Sequence, residues 1–328
     1  NFFQWLAHLP IRVRLHTGNR KESDSPLFAD SEPTVVVGTH ALFHNSFSLK
    51  NVGLIVIDEQ HKFGVSQRDQ LLRKGHFPHL LVMTATPIPR TLGLTLYGDL
   101  NYSVIDELPP GRGNIQTHVR TPDRRPKIIA FLKEQLASGR QAYVVFPRVD
   151  NEEPTAGIKA VEAEAKRLSK ELAPHEIGVL HGRQKPKEKE TVMRAFREKR
   201  VQALFSTTVI EVGVDVPNAN LMLIENADQF GLAQLHQLRG RIGRGEHDSY
   251  CILLTTGKTE ETNQRLKVLE ETNDGFKIAE ADLQLRGPGE LTGHDQSGLP
   301  AFIFGDLRSD LELIELARHL ASQIEARD

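Results

Sequence analysis

Short apolar runs alternating with amphipathic stretches constrain this chain more than any other feature. Ile11–Leu15, Thr34–Val37, Leu54–Ile57 and Leu80–Met83 form one set of such runs. Ala142–Phe146, Ile177–Leu180, Ala203–Phe205, Leu221–Ile224 and Tyr250–Leu254 form a second. A strand that is apolar at every position buries both faces, and both faces are covered when crossover helices join parallel strands. Helical periodicity falls between the runs, at Lys127–Leu136, Ala160–Leu172 and Lys187–Arg197. The predicted fold class is therefore α/β, with two parallel sheets in tandem.

The clearest break lies at Asp106-Glu107-Leu108-Pro109-Pro110-Gly111-Arg112-Gly113, where prolines and glycines interrupt regular structure. After Lys258 the pattern turns helical (Glu261–Glu271), then glycine-rich (Gly287–Gly298), then helical again over Asp310–Ala326. The expected domains are 1–113, 114–260 and a small segment 261–328; no short internal repeat is visible. At ~100–200 residues per domain, 328 residues allow this division. The net charge of −2 gives no overall signature of nucleic acid, so any such contact must come from local basic patches. The single cysteine, Cys251, sits in a strand-like run as core filler and excludes an intrachain disulfide, which fits a cytoplasmic location. No apolar run approaches the ~18 residues of a membrane helix. The N-terminus shows no signal peptide, and the chain is expected to begin inside a domain, because residue 1 is Asn and the first six residues already form an apolar helix.

Chemistry-bearing residues concentrate at the ends of these runs. Leu54-Ile55-Val56-Ile57 leads directly into Asp58-Glu59-Gln60-His61. In open α/β sheets ligands bind at the carboxyl ends of strands. There an Asp can hold Mg²⁺ through water and the next Glu can polarise a water attacking a phosphate. On the dipeptide alone, two surface acids capping a strand serve as well. Met83-Thr84-Ala85-Thr86-Pro87-Ile88-Pro89-Arg90 is a hydroxyl-rich loop after the next strand. Gln234-Leu235-His236-Gln237-Leu238-Arg239-Gly240-Arg241-Ile242-Gly243-Arg244 places three arginines within six residues, which calls for an anion or a solvated basic turn. Gly257-Lys258-Thr259 imitates the end of a phosphate-binding loop. The glycine that motif needs is Ile at position 252, so it is a decoy.

Together these segments resemble the motifs of superfamily-2 helicases. Strand-Asp-Glu-Gln-His is similar to motif II, Thr84-Ala85-Thr86 to motif III, and Ser206–Pro217 to motif V. Gln237 through Arg244 is similar to motif VI, and Gly38-Thr39-His40 to motif Ib. Leu180-His181-Gly182-Arg183 resembles another helicase element. The segment Asn273–Gly293, with Arg286-Gly287-Pro288-Gly289-Glu290 and Gln296-Ser297-Gly298, resembles the translocation (TRG) segment of the RecG family. It departs from the usual pattern at His294-Asp295, as does Arg148 earlier in the chain.

The resemblance implies two RecA-like domains, the first incomplete, followed by a helical hairpin and loop. ATP and Mg are the implied cofactors. Asp58 would hold the metal through water, Glu59 would activate water, and Gln60 and His61 would sense the γ-phosphate. Arg241 and Arg244 would stabilise transferred charge. Gly213, Asp215 and Gln237 would face the nucleotide. Thr39, His40, Thr84, Thr86, Arg90, Thr207, Arg286 and Gln296 would contact DNA or couple hydrolysis to movement. The implied partner is branched double-stranded DNA, such as forks and Holliday junctions, acted on by a monomer. Two alternatives stand beside this: a transcription-repair coupling translocase, and a non-enzymatic DNA- or partner-binding fragment. The resemblance also implies that a wedge domain and the phosphate-loop strand would precede residue 1. The chain alone is therefore expected to show little DNA-stimulated ATP hydrolysis.

Overall fold

A computed structural model describes residues 2–17, 20–21, 33–44, 51–59, 70–74, 78–85, 101, 103–105, 107, 111, 113–147, 156–207, 216–257, 259–286 and 311–325. The chain divides into two compact units, Asn1–Ala85 and Thr86–Asp328.

In the first unit, helix α1 (Phe2–Leu6) precedes strands β1 (Arg12–Thr17), β2 (Arg20–Lys21) and β3 (Thr34–Gly38). β1 pairs parallel with β3 and antiparallel with β2. Strands β4 (Leu54–Ile57) and β5 (His79–Val82) form a separate parallel pair. β4 departs from the expectation of a strand buried on both faces. Ile55 and Ile57 are buried, whereas Leu54 is 60% and Val56 52% exposed. Among the described residues its sheet is two strands wide and only one face is covered.

The second unit is built on six parallel strands: β6 (Ile115–Arg120), β7 (Gln141–Val145), β8 (Ile177–Leu180), β9 (Ala203–Ser206), β10 (Ala219–Ile224) and β11 (Ser249–Leu254). Their order in the sheet is β6-β11-β10-β7-β9-β8. Helices α2 (Arg125–Ala137) and α3 (Ala156–Glu171) cover one face. There Ile128, Leu132 and Leu136 of α2 and Val161 and Leu168 of α3 join Val144, Phe205 and Leu223 of the sheet in one core. Helices α4 (Pro186–Arg197), α5 (Leu232–Arg239), α6 (Glu260–Glu271) and α7 (Gly275–Arg286) cover the other. Phe196, Leu235, Leu238, Leu266, Leu269 and Ile278 pack on Tyr143, Met222, Ile224, Cys251 and Leu253. Alternate residues of β7, β9 and β10 enter opposite cores, which explains why Ala142–Val145, Ala203–Phe205 and Leu221–Ile224 are apolar runs. A last helix, α8 (Leu311–Glu325), follows.

Two strands are absent from the set expected from apolar runs: the two-residue β2 and the edge strand β6. β6 alternates Ile115, Thr117 and Val119 with Gln116, His118 and Arg120, as an edge strand does. An unpaired strand edge is normally a liability. Here Glu270 Oε1 accepts the Val119 N–H (2.6 Å) and the Asn273 side-chain amide donates to the Ile115 carbonyl (3.1 Å). The hairpin of α6 and α7, turned at residues 272–274, thus closes the edge with side chains.

Cys251 lies in β11 with 1% exposure, and burial pushes its thiol up to about 12. A thiol held protonated and away from solvent is unreactive. The folded chain is expected to leave Cys251 unmodified by a thiol reagent at pH 8 and to be labelled stoichiometrically after unfolding. Rapid labelling of the native chain would show that β11 is not held in the core.

Candidate functional site

The carboxylate pair of the first unit stands where β4 ends. Asp58 is exposed and Glu59 half-buried. Glu59 adopts φ +52°, a left-handed conformation uncommon for a side-chain-bearing residue, and its N–H donates to Asp58 Oδ1 (2.9 Å). Met83 N donates to the Ile57 carbonyl (2.8 Å), which brings the start of the Thr84 loop beside the end of β4. Thr84 is exposed there. Asp58, Glu59 and Thr84 therefore share the carboxyl edge of one parallel strand pair. Hard carboxylate oxygens at such an edge suit a cation that keeps most of its water shell, as Mg²⁺ does.

Thr39 and His40 lie at the carboxyl end of β3, in the same unit. A Cβ on Gly38 would come within 2.4 Å of the His16 carbonyl oxygen, so only glycine lets β3 turn this close to β1. The short 3₁₀ turn His40–Phe43 that follows is held by Lys74, whose ammonium donates to the carbonyls of Leu42 and His44 at 2.8 Å each.

In the second unit the carboxyl ends of β9, β10 and β8 carry the polar groups. Ser206 and Thr207 are buried, and Thr207 N donates to the Leu180 carbonyl (3.3 Å). Glu225, the residue after β10, is 6% exposed. Arg125, at the start of α2, reaches its two oxygens at 3.0 and 3.1 Å and also pairs with Glu164 of α3. Burial raises the Glu225 pKa, and Arg125 opposes that rise. Glu164 is held below the usual carboxylate range: its hydrogen bond with Arg167 and the charges of Arg125 and Arg167 outweigh burial. His181 lies 3.4 Å from Glu162.

The arginine-rich segment begins as a helix. Leu232, Leu235 and Leu238 of α5 are buried, and so is Arg239, at 3% exposure. Its guanidinium donates to the carbonyls of Leu269 (2.8 Å) and Thr272 (3.0 Å), the last turn of α6, and to Thr117 Oγ1 of β6 (3.3 Å). The negative end of the α6 dipole is therefore one anion this segment calls for. His236 Nδ1 lies 2.9 Å from Arg239 Nη2 and must accept, because arginine can only donate. Burial, then the Arg239 charge, lower the His236 pKa to about 4, with Asp274 opposing.

Arg241 and Arg244 follow on a half-buried turn, with Arg244 Nε donating to the Gly240 carbonyl (3.2 Å). Gly243 makes the turn at φ +71°, where a Cβ would meet Ile115 at 2.6 Å. Gln237 is half-buried on α5. The structure thus gathers Gln237, Arg241 and Arg244 in one segment and Asp58, Glu59 and Thr84 in another. Gln60, His61, Thr86, Arg90, Gly213, Asp215 and Gln296 lie outside the described residues, as does the side chain of Arg286, whose backbone ends α7. Among the described residues, no group of three or more metal-ligating side chains occurs, and no helix is long and apolar enough to cross a membrane.

Sequence reasoning missed the roles of Arg239 and of the Arg125–Glu225 pair. A signal for the first existed: Arg239 continues the apolar stripe of Leu232 and Leu235 at i, i+3, i+7, which places it on the buried side of α5. The Arg125–Glu225 pair left no comparable trace, since its partners are 100 residues apart.

Residues 1–94 match the DEAD/DEAH box helicase family, residues 126–246 the helicase conserved C-terminal domain, and residues 272–328 the family "ATP-dependent DNA helicase RecG, domain 3, C-terminal". The chain is 52% identical to the ATP-dependent DNA helicase RecG of Synechocystis sp. over 330 residues, covering 99% of the chain and 40% of that protein. It is 43% identical to the RecG of Bacillus subtilis, covering 100% and 48%. A solved structure of RecG bound to a three-way DNA junction is 44% identical, with a TM-score of 0.71, over 95% of this chain and 41% of that one. The chain thus spans less than half the length of these relatives.

Two expectations follow from the buried arginine. Arg239→Ala strips two carbonyls and a hydroxyl of their donor. It should lower the unfolding free energy by about 2–4 kcal/mol in a denaturant titration; a change below ~0.5 kcal/mol would mean the clamp is idle. His236 stays neutral in the folded chain but takes up a proton near pH ~6.5 when unfolded. Its contribution is therefore complete above pH ~6.5 and is lost as pH falls toward about 4, by up to about 3 kcal/mol. His236→Gln should flatten that part of the stability profile, and an unaltered profile would rule the histidine out.

Proposed function

The chain belongs to the RecG family of ATP-dependent DNA helicases, and from that premise we propose that the protein containing it uses ATP to drive movement on branched double-stranded DNA. The observation that carries the reading is the 44% identity, over nearly the whole chain, to a RecG that binds a three-way DNA junction. By that likeness the substrate class here is forked or junction DNA, including stalled forks and Holliday junctions. The working domains are 1–113, 114–260 and 261–328, and the active species is a monomer.

The residues fit nucleotide hydrolysis. Asp58, exposed at the end of β4, would hold Mg²⁺ through its water shell. The metal's role when bound is to neutralise charge on the phosphates. Glu59 accepts a proton from the attacking water, and Gln60 and His61 report on the γ-phosphate. Arg241 and Arg244 supply fixed positive charge, which a guanidinium keeps at any working pH and can present bidentately to phosphate. Gly213, Asp215 and Gln237 line the nucleotide side of the second domain. Thr39, His40, Thr84, Thr86, Arg90 and Thr207 contact DNA or link it to the nucleotide. Arg286 and Gln296 couple hydrolysis to movement. Arg239 is a positioning residue. Its bonds to Leu269 and Thr272 tie the segment of Arg241 and Arg244 to the α6–α7 hairpin, and its bond to Thr117 ties it to β6.

Glu59→Gln in the whole protein should leave ATP affinity within a few-fold while cutting hydrolysis by at least ~10². Arg241→Ala and Arg244→Ala should lower turnover more than affinity, toward the roughly 10³–10⁵ measured for arginine fingers of GTPases. Nucleotide binding by fluorescence and single-turnover hydrolysis separate the two quantities. Equal loss of both in the Gln variant would make Glu59 structural, and unchanged turnover in both arginine variants would assign those side chains elsewhere.

A further inference from the structure

A groove of about 630 Å³ opens on the face of the second unit covered by α2 and α3, between edge strand β6 and helix α2. Phe131 of α2 meets Tyr250 of β11 there, and His118 and Arg120 of β6 face the groove. The groove walls are cationic: Arg120 from β6, Arg124 at the start of α2, and Lys127 one turn into it. Its floor is aromatic. Phe131 and Tyr250 meet edge to face with centroids 5.1 Å apart, packed from below against the buried core. His118 completes the wall. The nearest carboxylates, Glu270 on Arg120 (3.3 Å) and Asp123 on Arg124 (3.4 Å), do not line the groove. The chain as a whole carries a net charge of −2, so this concentration of positive charge is local.

Charge and rings together select the ligand. Cations on both sides of the groove suit phosphates, and an aromatic floor suits unstacked bases, the combination by which proteins hold single strands without reading sequence. A duplex offers the cations its phosphates but keeps its bases from the rings. We propose that this groove binds a single-stranded DNA segment, its phosphates along Arg120, Arg124 and Lys127 and a base against Phe131 and Tyr250. The choice of DNA over an acidic peptide rests on the proposed function, and branched DNA is a source of such a strand. The His118 pKa is lowered by burial and then by the Arg120 charge. Its Nδ1, 3.2 Å from Arg120 Nη2, accepts a hydrogen bond, so the groove's charge comes from the arginines and lysine.

The test uses the 328-residue chain and a fluorescent oligothymidylate of ~15 nucleotides, long enough to span one binding groove. Arg124 and Lys127 are exposed, so Arg124→Glu combined with Lys127→Glu leaves the core intact. The double variant should bind the oligonucleotide at least ~10-fold more weakly at low salt, and its log–log salt slope should be shallower by about 1.4, two lost phosphate contacts on a single strand. Lys187→Glu, exposed on α4 across the sheet, should bind like the parent. With 5-iodouracil in the oligonucleotide, ultraviolet crosslinks should map to Tyr250 or Phe131. Parent-like binding and slope in the double variant, or no binding by the parent chain, overturns the proposal. An acidic peptide that occupies the groove while the oligonucleotide does not would assign it to a protein partner instead. Forked-duplex binding and DNA-stimulated hydrolysis by the whole protein, assayed with and without the double substitution, separate the two ideas. If both activities persist while the groove variant behaves as parent, only the groove assignment fails; if the unsubstituted protein lacks both, the proposed function fails.

Discussion

A parallel sheet covered on both faces leaves polar side chains little room except at its ends, and most of the second unit follows from that constraint. β7, β9 and β10 contribute to two cores at once. Ser206, Thr207 and Glu225 accordingly appear where strands stop, and Glu225 survives burial because Arg125 meets it from a helix that starts at the same edge. The first unit shares the placement but not the double cover: β4 ends in Asp58 and Glu59, next to the loop that leaves β5, with only one of its faces buried. Chemistry at the carboxyl edge is thus a by-product of how such sheets are buried.

The buried guanidinium of Arg239 extends this logic to the hairpin. Burying a charge is costly unless every donor finds an acceptor. The carbonyls at the end of α6 and the Thr117 hydroxyl share the N–H groups of Nη1, and neutral His236 accepts from Nη2. One side chain therefore joins the sheet edge, helix α5 and the hairpin. The next turn of chain carries Arg241 and Arg244, so the side chain that holds the hairpin lies two residues from the first of them.

Much of this was legible in the residues. Strands that are apolar at every position announced parallel layers, and Leu54–Ile57 followed by Asp58-Glu59 announced an edge with chemistry. β6 escaped because an edge strand alternates Ile115, Thr117 and Val119 with polar residues and forms no apolar run. Arg239 escaped for the opposite reason: its charge concealed that it continues the leucine stripe of α5. The Arg125–Glu225–Glu164 cluster depends on residues far apart in sequence, and no local pattern encodes it. The groove at Phe131 and Tyr250 is of the same kind, since neither aromatic residue signals the other from 119 positions away.

The pairing of β6 with β11 has a consequence for how the protein is made. The first strand of the six-stranded sheet neighbours the last, and Ile115–Arg120 align with Ser249–Leu254 in parallel register. A ribosome adding ~5–20 residues per second needs on the order of ten seconds to deliver the partner. During that interval β6 has neither β11 beside it nor Glu270 and Asn273 to close its outer edge, since both come later still. The alternation of Gln116, His118 and Arg120 along β6 keeps the waiting strand half polar. A nascent chain with a solid run of valine or isoleucine here would offer its neighbours on the polysome an open template, so the sequence of this strand answers to synthesis as well as to the finished fold.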